Sequence, residues 1–199
     1  MIAWNTGTWL NEPPTHTVTP HDQSLTMTTA KGSDAWRDTA YGFVFDTAHA
    51  LLHPIAVGEA MQIDVTAPWE GQFDQAGLLI RAGADHWIKT GLEYADGHLG
   101  LGAVVTQPHS DWSTGIVDEW LSSTVSLRIS RWADCIIVRA KAAAEPWRLV
   151  RVAPFATDPS APVHAGPYAA SPLREGLNAT FQHWQLTPAD TDVHEQPST

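Results

Sequence analysis

Short runs along the chain alternate apolar with polar residues, and this period of two is the mark of half-buried strands. Met61, Ile63 and Val65 alternate with Gln62, Asp64 and Thr66. Val125, Leu127 and Ile129 alternate with Ser126, Arg128 and Ser130. Near the end, Phe181 and His183 alternate with Gln182 and Trp184. Further strands are expected at Ser24–Thr29, Tyr41–Asp46, Ala50–Ile55, Cys135–Lys141, Trp147–Ala153 and Val163–Ala169. Turn chemistry separates them at Lys31-Gly32-Ser33-Asp34, Asp96-Gly97, Trp132-Ala133-Asp134 and Thr157-Asp158-Pro159. No long segment holds the 3.6-residue period of a helix. About a dozen short strands without helices predict an all-β fold, a two-sheet antiparallel β-sandwich. Without an internal repeat or a linker, residues 1–187 are expected to form a single domain. Residues 188–199 are polar and are expected to be a loose C-terminal tail. The stretch from Asn11 to Asp22 carries Pro13, Pro14 and Pro20 and reads as an extended lead-in loop.

The segment from Phe73 to Gly97 defines its own register. If Asp96-Gly97 is a two-residue type I′ turn, its favoured use, Ala95 faces His98, Glu93 faces Gly100, Gly91 faces Gly102 and Lys89 faces Val104. If Gly83-Ala84-Asp85 is the preceding loop, Arg81 faces Trp87, Leu79 faces Lys89, Gly77 faces Gly91 and Gln75 faces Glu93. Both registers put Ala76, Leu78, Ile80, Ile88, Leu92, Leu99, Leu101 and Val105 on one face, a core face. The other face collects Gln75, Gly77, Arg81, Trp87, Lys89, Gly91, Glu93, Gly100 and Gly102. A slip of one residue would bury the charged set, so the register is constrained. Gly77, Gly91 and Gly102 then lie side by side across three strands. Glycine in a strand marks the close approach of a ligand or of another backbone. One reading is a shallow groove floored by glycine, and the other is a sheet that bends or accepts a loop there. Lys89 and Glu93, four residues apart on a strand, are about 13 Å apart at ~3.3 Å per residue. They are not expected to pair directly, but they suit the two ends of one ligand.

Several motifs in order resemble a known family. They are Trp36-Arg37, Tyr41-Gly42-Phe43, the run Phe73 to Leu78, the run Trp87 to Tyr94, Ser110-Asp111-Trp112-Ser113, Gly166-Pro167-Tyr168, Ser171-Pro172 and Phe181-Gln182-His183-Trp184. Together they resemble a concanavalin A-like jelly-roll family of unknown function, some of whose members are labelled regulation-of-enolase proteins. The resemblance runs from about Trp36 to Trp184 and implies the jelly-roll fold. Its superfamily contains lectins, carbohydrate-binding modules, glycosidases and lyases, so it implies chemistry only by analogy. Nothing in these residues supports an enolase contact.

Composition narrows the function. The chain has 199 residues, 43% of them hydrophobic and 17% charged, enough apolar material for a core and too little charge for disorder. Its formal net charge is -11 with no cluster of Lys and Arg. Nucleic acids and anionic membranes are recognised through cations, so neither is an expected partner. A carbohydrate or similar polar small molecule suits the balance better, and a protein partner stays open. One cysteine, Cys135 in an apolar run, excludes an intrachain disulfide and reads as a buried inert thiol. There is no secretory signal pattern, and the expected location is cytoplasmic. The sequon Asn178-Ala179-Thr180 is a chance match in that compartment.

The candidate ligand contacts are Gln75, Lys89 and Glu93 on the glycine-bearing face, with Trp36, Arg37 and Trp112 at its rim. Glu93 would accept hydrogen bonds from hydroxyls, Lys89 would donate, and Trp112 would stack. Among the 10 tryptophans, Trp36, Trp69, Trp87 and Trp112 are candidate sugar platforms, although large aromatics also fill cores. A sugar-active hydrolase or isomerase would use Glu93 as acid or base. Glycoside hydrolysis needs a second carboxylate within about 5–10 Å, which Asp34 or Asp111 would have to supply from a loop. His49 with His53, and His109 with Asp111, do not form a compact ligand motif, so no metal is expected. No phosphate loop and no Gly-x-Ser-x-Gly elbow occurs, and no cofactor is expected. Three readings follow: a carbohydrate binder, a sugar-active enzyme, and a protein-interaction module that regulates a metabolic enzyme.

Overall fold

A computed structural model describes residues 1–19, 21, 23–158 and 161–197. Pro20 and Asp22 of the lead-in loop, Pro159 of the Thr157-Asp158-Pro159 turn, and the last two residues lie outside the described residues. In chain order the first strands are β1 (Thr8–Leu10), β2 (Thr15–Thr19), β3 (Ser24–Thr28), β4 (Ala35–Arg37), β5 (Val44–Asp46) and β6 (His49–Pro54). Next come β7 (Glu59–Thr66), β8 (Asp74–Gly83), β9 (His86–Ala95), β10 (His98–Thr106) and β11 (Ser110–Ile116). The last are β12 (Val125–Arg131), β13 (Cys135–Ala142), β14 (Arg148–Pro154), β15 (His164–Ala170) and β16 (Asn178–Pro188). They form two seven-stranded sheets, β1-β6-β15-β8-β9-β10-β11 and β14-β13-β12-β7-β16-β3-β2, with β4 and β5 as a separate ribbon. Every neighbouring pair of strands is antiparallel, as a jelly-roll sandwich requires.

The two sheets stack through their apolar faces. Leu25, Met61, Ile63, Val65, Leu78, Ile80, Ile88, Leu127 and Phe181 are among the residues of that core, each at most 1% exposed. A second apolar cluster lies on the opposite face of the first sheet. Trp87, Leu79, Val104 and Tyr168 there are covered by the β4–β5 ribbon through Ala35 and Trp36. With both faces covered, β8 is buried along most of its length, which is why its sequence runs Ala-Gly-Leu-Leu-Ile rather than alternating.

Both hairpin registers read from turn chemistry are present, residue for residue. Asp96 and Gly97 have φ of +55° and +84°, as a type I′ turn demands. The first loop is tighter than expected. Gly83 pairs with His86 after a bulge that follows Arg81, leaving only Ala84-Asp85 as the turn.

Several expectations are corrected. The lead-in loop contains an edge strand, β2, because Thr15–Thr19 complete the ladder of β3. Trp112, expected at the rim of the glycine-bearing face, lies within β11, paired with Val104. The period-two reading of Phe181 to Trp184 fails because the β16–β7 register shifts there and His183 takes φ +52°. The bulge turns Phe181 and Trp184 both into the core, where Trp184 stacks on Trp4 with centroids 5.1 Å apart. The polar C-terminal segment is tied down rather than loose: Arg128 and Arg139 donate to the two carboxylate oxygens of Asp190 at 2.8 Å each. Cys135 is half-buried rather than buried. Its thiol is pushed up by partial burial and by Asp134, so it remains a thiol and not a nucleophile.

Candidate functional site

The face of β9 that points away from the core meets the β4–β5 ribbon across a cleft of about 340 Å³. That volume is at the small end of the ~300–1,000 Å³ usual for small-molecule sites. Its floor is polar. Lys89, 4% exposed, donates to Asp34 Oδ1 and to Gln75 Oε1, each at 2.8 Å. Register alone put Lys89 and Gln75 on one face. Asp34 arrives from the loop before β4, where its other contacts shape the turn: its Oδ1 accepts the Ala35 N–H at 2.8 Å.

Glu93 lines the same cleft. It is half-buried and makes no hydrogen bond among the described residues. Burial raises its proton affinity; Lys89 opposes this, and Asp34 and Asp96 add to it. Tyr168, on β15 beside Gly77, closes the floor next to Glu93. Its phenol is pushed well up, first by burial and then by the charges of Glu93 and Asp34, so it is a neutral hydroxyl at physiological pH.

The walls are aromatic. Tyr41 and Phe43 stack with centroids 5.3 Å apart, and Phe43 meets Phe45 at 4.8 Å. Tyr41 and Phe43 sit in the turn that joins β4 to β5, where Gly42 takes φ +69°, and Phe45 follows on β5. Trp36 meets Trp112 edge-on at 6.5 Å, and Trp112 is 42% exposed at the cleft. The ribbon is fixed in place: Arg81 donates to both carboxylate oxygens of Asp46 at 2.7 Å. The Arg37 N–H donates to Ser110 Oγ at 2.9 Å, and Arg37 Nε donates to the Pro108 carbonyl at 3.1 Å. The cleft is therefore built before any ligand arrives.

The sequence candidates divide accordingly. Gln75, Lys89, Glu93, Trp36 and Trp112 converge on the cleft. Arg37 does not line it; its side chain is turned to the β10–β11 connection, which it ties to the ribbon. Trp87 is 1% exposed beneath the ribbon, and Trp69 belongs to the core, so neither offers a face to a ligand. Of the two loop carboxylates, Asp34 is at the floor, whereas Asp111 is exposed and paired with Arg151 at 2.9 Å. Tyr168, Phe45 and Phe73 were missed as site residues. The alternating aromatics from Tyr41 to Phe45 were the signal for part of that wall.

The glycines have a different reason from a ligand floor. A Cβ on Gly77 would stand 2.0 Å from the Thr90 carbonyl oxygen, on Gly91 2.3 Å from that of Ala76, and on Gly102 2.2 Å from that of Ser113. The nearest obstacles are the backbones of adjoining strands, so close strand approach requires these glycines. Gly91 and Gly102 nonetheless line a small pit beside Glu93.

His49 accepts the Ala30 N–H at Nε2 (3.1 Å), and its Nδ1 lies 2.7 Å from the Asn11 carbonyl. Among the described residues, no group of three or more His, Cys, Asp or Glu side chains is placed to hold a metal ion.

A family model described as "Protein of unknown function (DUF1349)" matches residues 9–189. The chain is 37% identical over 195 residues to "Regulation of enolase protein 1" of Saccharomyces cerevisiae, covering 95% of this chain and 93% of the relative. It is similar to the crystal structure of a functionally unknown protein from Saccharomyces cerevisiae, with a TM-score of 0.86, 35% identity, and coverage of 94% of this chain and 98% of that one. More distant structures share the fold alone. Bacteroides ovatus xyloglucan GH43B gives a TM-score of 0.67 at 16% identity, over 87% of this chain and 34% of that one. The metal-free lectin I-B4 of Griffonia simplicifolia gives 0.55 at 11% identity, over 92% and 93%.

Proposed function

The chain belongs to the DUF1349 family, and we propose that it binds a carbohydrate or a similar polar small molecule in the cleft between β9 and the β4–β5 ribbon. The observation that carries this reading is one carboxyl, Glu93, left without a protein hydrogen bond beside the interlocked Lys89, Asp34 and Gln75, under aromatic walls. A sugar ring has apolar C–H faces and polar edges. The faces pack on Trp112 and Phe43, and the hydroxyls bond to Glu93, Lys89 and Tyr168. Lys89 uses two of its three N–H donors within the protein, so one is free for a hydroxyl.

The test is a thermal-shift screen of wild type and Glu93→Gln against monosaccharides and oligosaccharides. A ligand that binds only the folded state raises the melting temperature. A saturable rise in wild type that falls by half or more in Glu93→Gln is expected. A panel with no rise in wild type removes the reading.

A second reading, sugar hydrolysis or isomerisation, is favoured by one observation. A carboxyl of raised proton affinity, Glu93, shares the cleft with the salt-bridged carboxylate of Asp34, a pairing that suits an acid and a charged partner. Incubating any ligand found in the screen with wild type and assaying for products decides it; Glu93→Gln would abolish turnover. The protein-interaction reading calls for an exposed apolar patch without a polar cleft. Here the exposed aromatics Tyr41 and Phe43 are the rim of the cleft itself.

A further inference from the structure

The charges lining the cleft do not balance. Asp34 and Lys89 neutralise each other at 2.8 Å. Glu93 is left over, and among the described residues no cation other than Lys89 lines the cleft. The rings around it add a preference of the same sign, because an aromatic face is electron-rich and attracts cations. Tyr41, Phe43 and Phe45 provide such rings at the β4–β5 hairpin, and Trp112 lines the same cleft.

We propose that the ligand of this cleft carries a protonated amine, and that it is an amino sugar or an ammonium-bearing polyol of the same size. Its ammonium sits on the Glu93 carboxylate and its ring lies against Trp112 and Phe43. This rests on the carbohydrate reading of the same cleft and adds the charge of the ligand to it. An anionic sugar is disfavoured. Lys89 is already neutralised by Asp34, so an anion at its third N–H would face the carboxylates of Asp34 and Glu93. The net charge of -11 works in the same direction, since it draws cations towards the surface. The raised proton affinity of Glu93, due first to burial, is what a carboxyl without its counter-ion displays. An ammonium within hydrogen-bond distance supplies that counter-ion.

The experiment is a titration followed by tryptophan fluorescence, since Trp36 and Trp112 line the cleft. Glucosamine, glucose, N-acetylglucosamine and glucuronate are compared at neutral pH and low salt. The same sets in the galacto and manno series cover ring stereochemistry. In at least one series the amino sugar should bind about tenfold tighter than its neutral parent, as one charge-assisted hydrogen bond supplies. The N-acetyl sugar keeps the nitrogen without the charge and should bind like the parent, and the uronate should bind weakest. Glu93→Gln should abolish the amine preference, so that within the variant the amino sugar and its parent bind alike; a cooperative urea transition shows that the variant is folded. Amino sugars that bind no tighter than their parents overturn this inference and leave the carbohydrate reading standing. An amine preference that survives in Glu93→Gln overturns it as well. If none of the sugars binds, the carbohydrate reading and this inference fall together.

Discussion

Glu93 holds a half-buried carboxyl in a cleft without a protein partner, and that arrangement has a consequence for stability. Burial is the first cause of its raised proton affinity. An acid whose folded pKa lies above its unfolded value binds more protons when folded, so stability falls as the pH rises through that window. Glu93→Gln removes the charge and keeps the shape. The variant should match wild type below the ordinary glutamate value of 4.5 and exceed it once the pH is above the raised value. Urea midpoints of both proteins across a pH series check this; a variant less stable than wild type at neutral pH would sink it. The residue type and its face were legible in the sequence, because the Asp96-Gly97 turn sets the register. The reason for Gly91 was not. Its contact is with the Ala76 carbonyl across the ladder, and a local pattern does not distinguish a neighbouring backbone from a ligand.

The element that makes the cleft is the β4–β5 ribbon, which belongs to neither large sheet. It is anchored by the Arg81–Asp46 pair and by Asn11, whose Nδ2 donates to the Asp46 carbonyl at 2.9 Å. Asp46→Asn keeps the shape and removes the charge. Because Asp46 is 38% exposed, solvent screens the pair, and the loss of global stability should be no more than about 1 kcal/mol. Ligand affinity should suffer more, by about tenfold, since a loosened roof must be ordered on binding. Denaturation and titration of the same variant separate the two effects; unchanged affinity would show that the ribbon is not the roof of the site. The aromatic alternation from Tyr41 to Phe45 marks the ribbon in sequence. Where it docks is decided by partners far along the chain, Arg81 and Ser110, which no local pattern names.

At the scale of the whole molecule, the second sheet is closed by a buried ionic cluster. Asp190 is held between Arg128 and Arg139, whose side chains are 4% and 3% exposed. Burial works to raise the Asp190 pKa, but the hydrogen bonds of Arg139 and Arg128 outweigh it and hold the carboxyl below its ordinary 3.8. A depressed acid contributes stability that is present above its unfolded pKa and lost as the pH falls through the folded one. Asp190→Asn leaves two buried guanidiniums without a countercharge and should lose about 3–5 kcal/mol. A chain ending at Pro188 should lose a comparable amount. Guanidinium unfolding measures both; wild-type stability in the shortened chain would restore the view of a loose tail.

Period-two patterning and turn chemistry by themselves determined many of the strands, two hairpin registers, the core face of β8 to β10, and a two-sheet antiparallel sandwich; the jelly-roll topology was implied by the family resemblance. These follow from covalent spacing and from interactions within a few residues, so they are written locally. Tertiary structure alone decided which loop carboxylate joins Lys89, why the strand glycines are glycine, that Trp184 turns inward at a bulge, and that Asp190 secures the C-terminal segment. Each depends on groups brought together from tens of residues apart, Asp34 with Lys89 and Asp190 with Arg128. Their energy comes from burial and charge compensation, which exist only once the sheets have stacked.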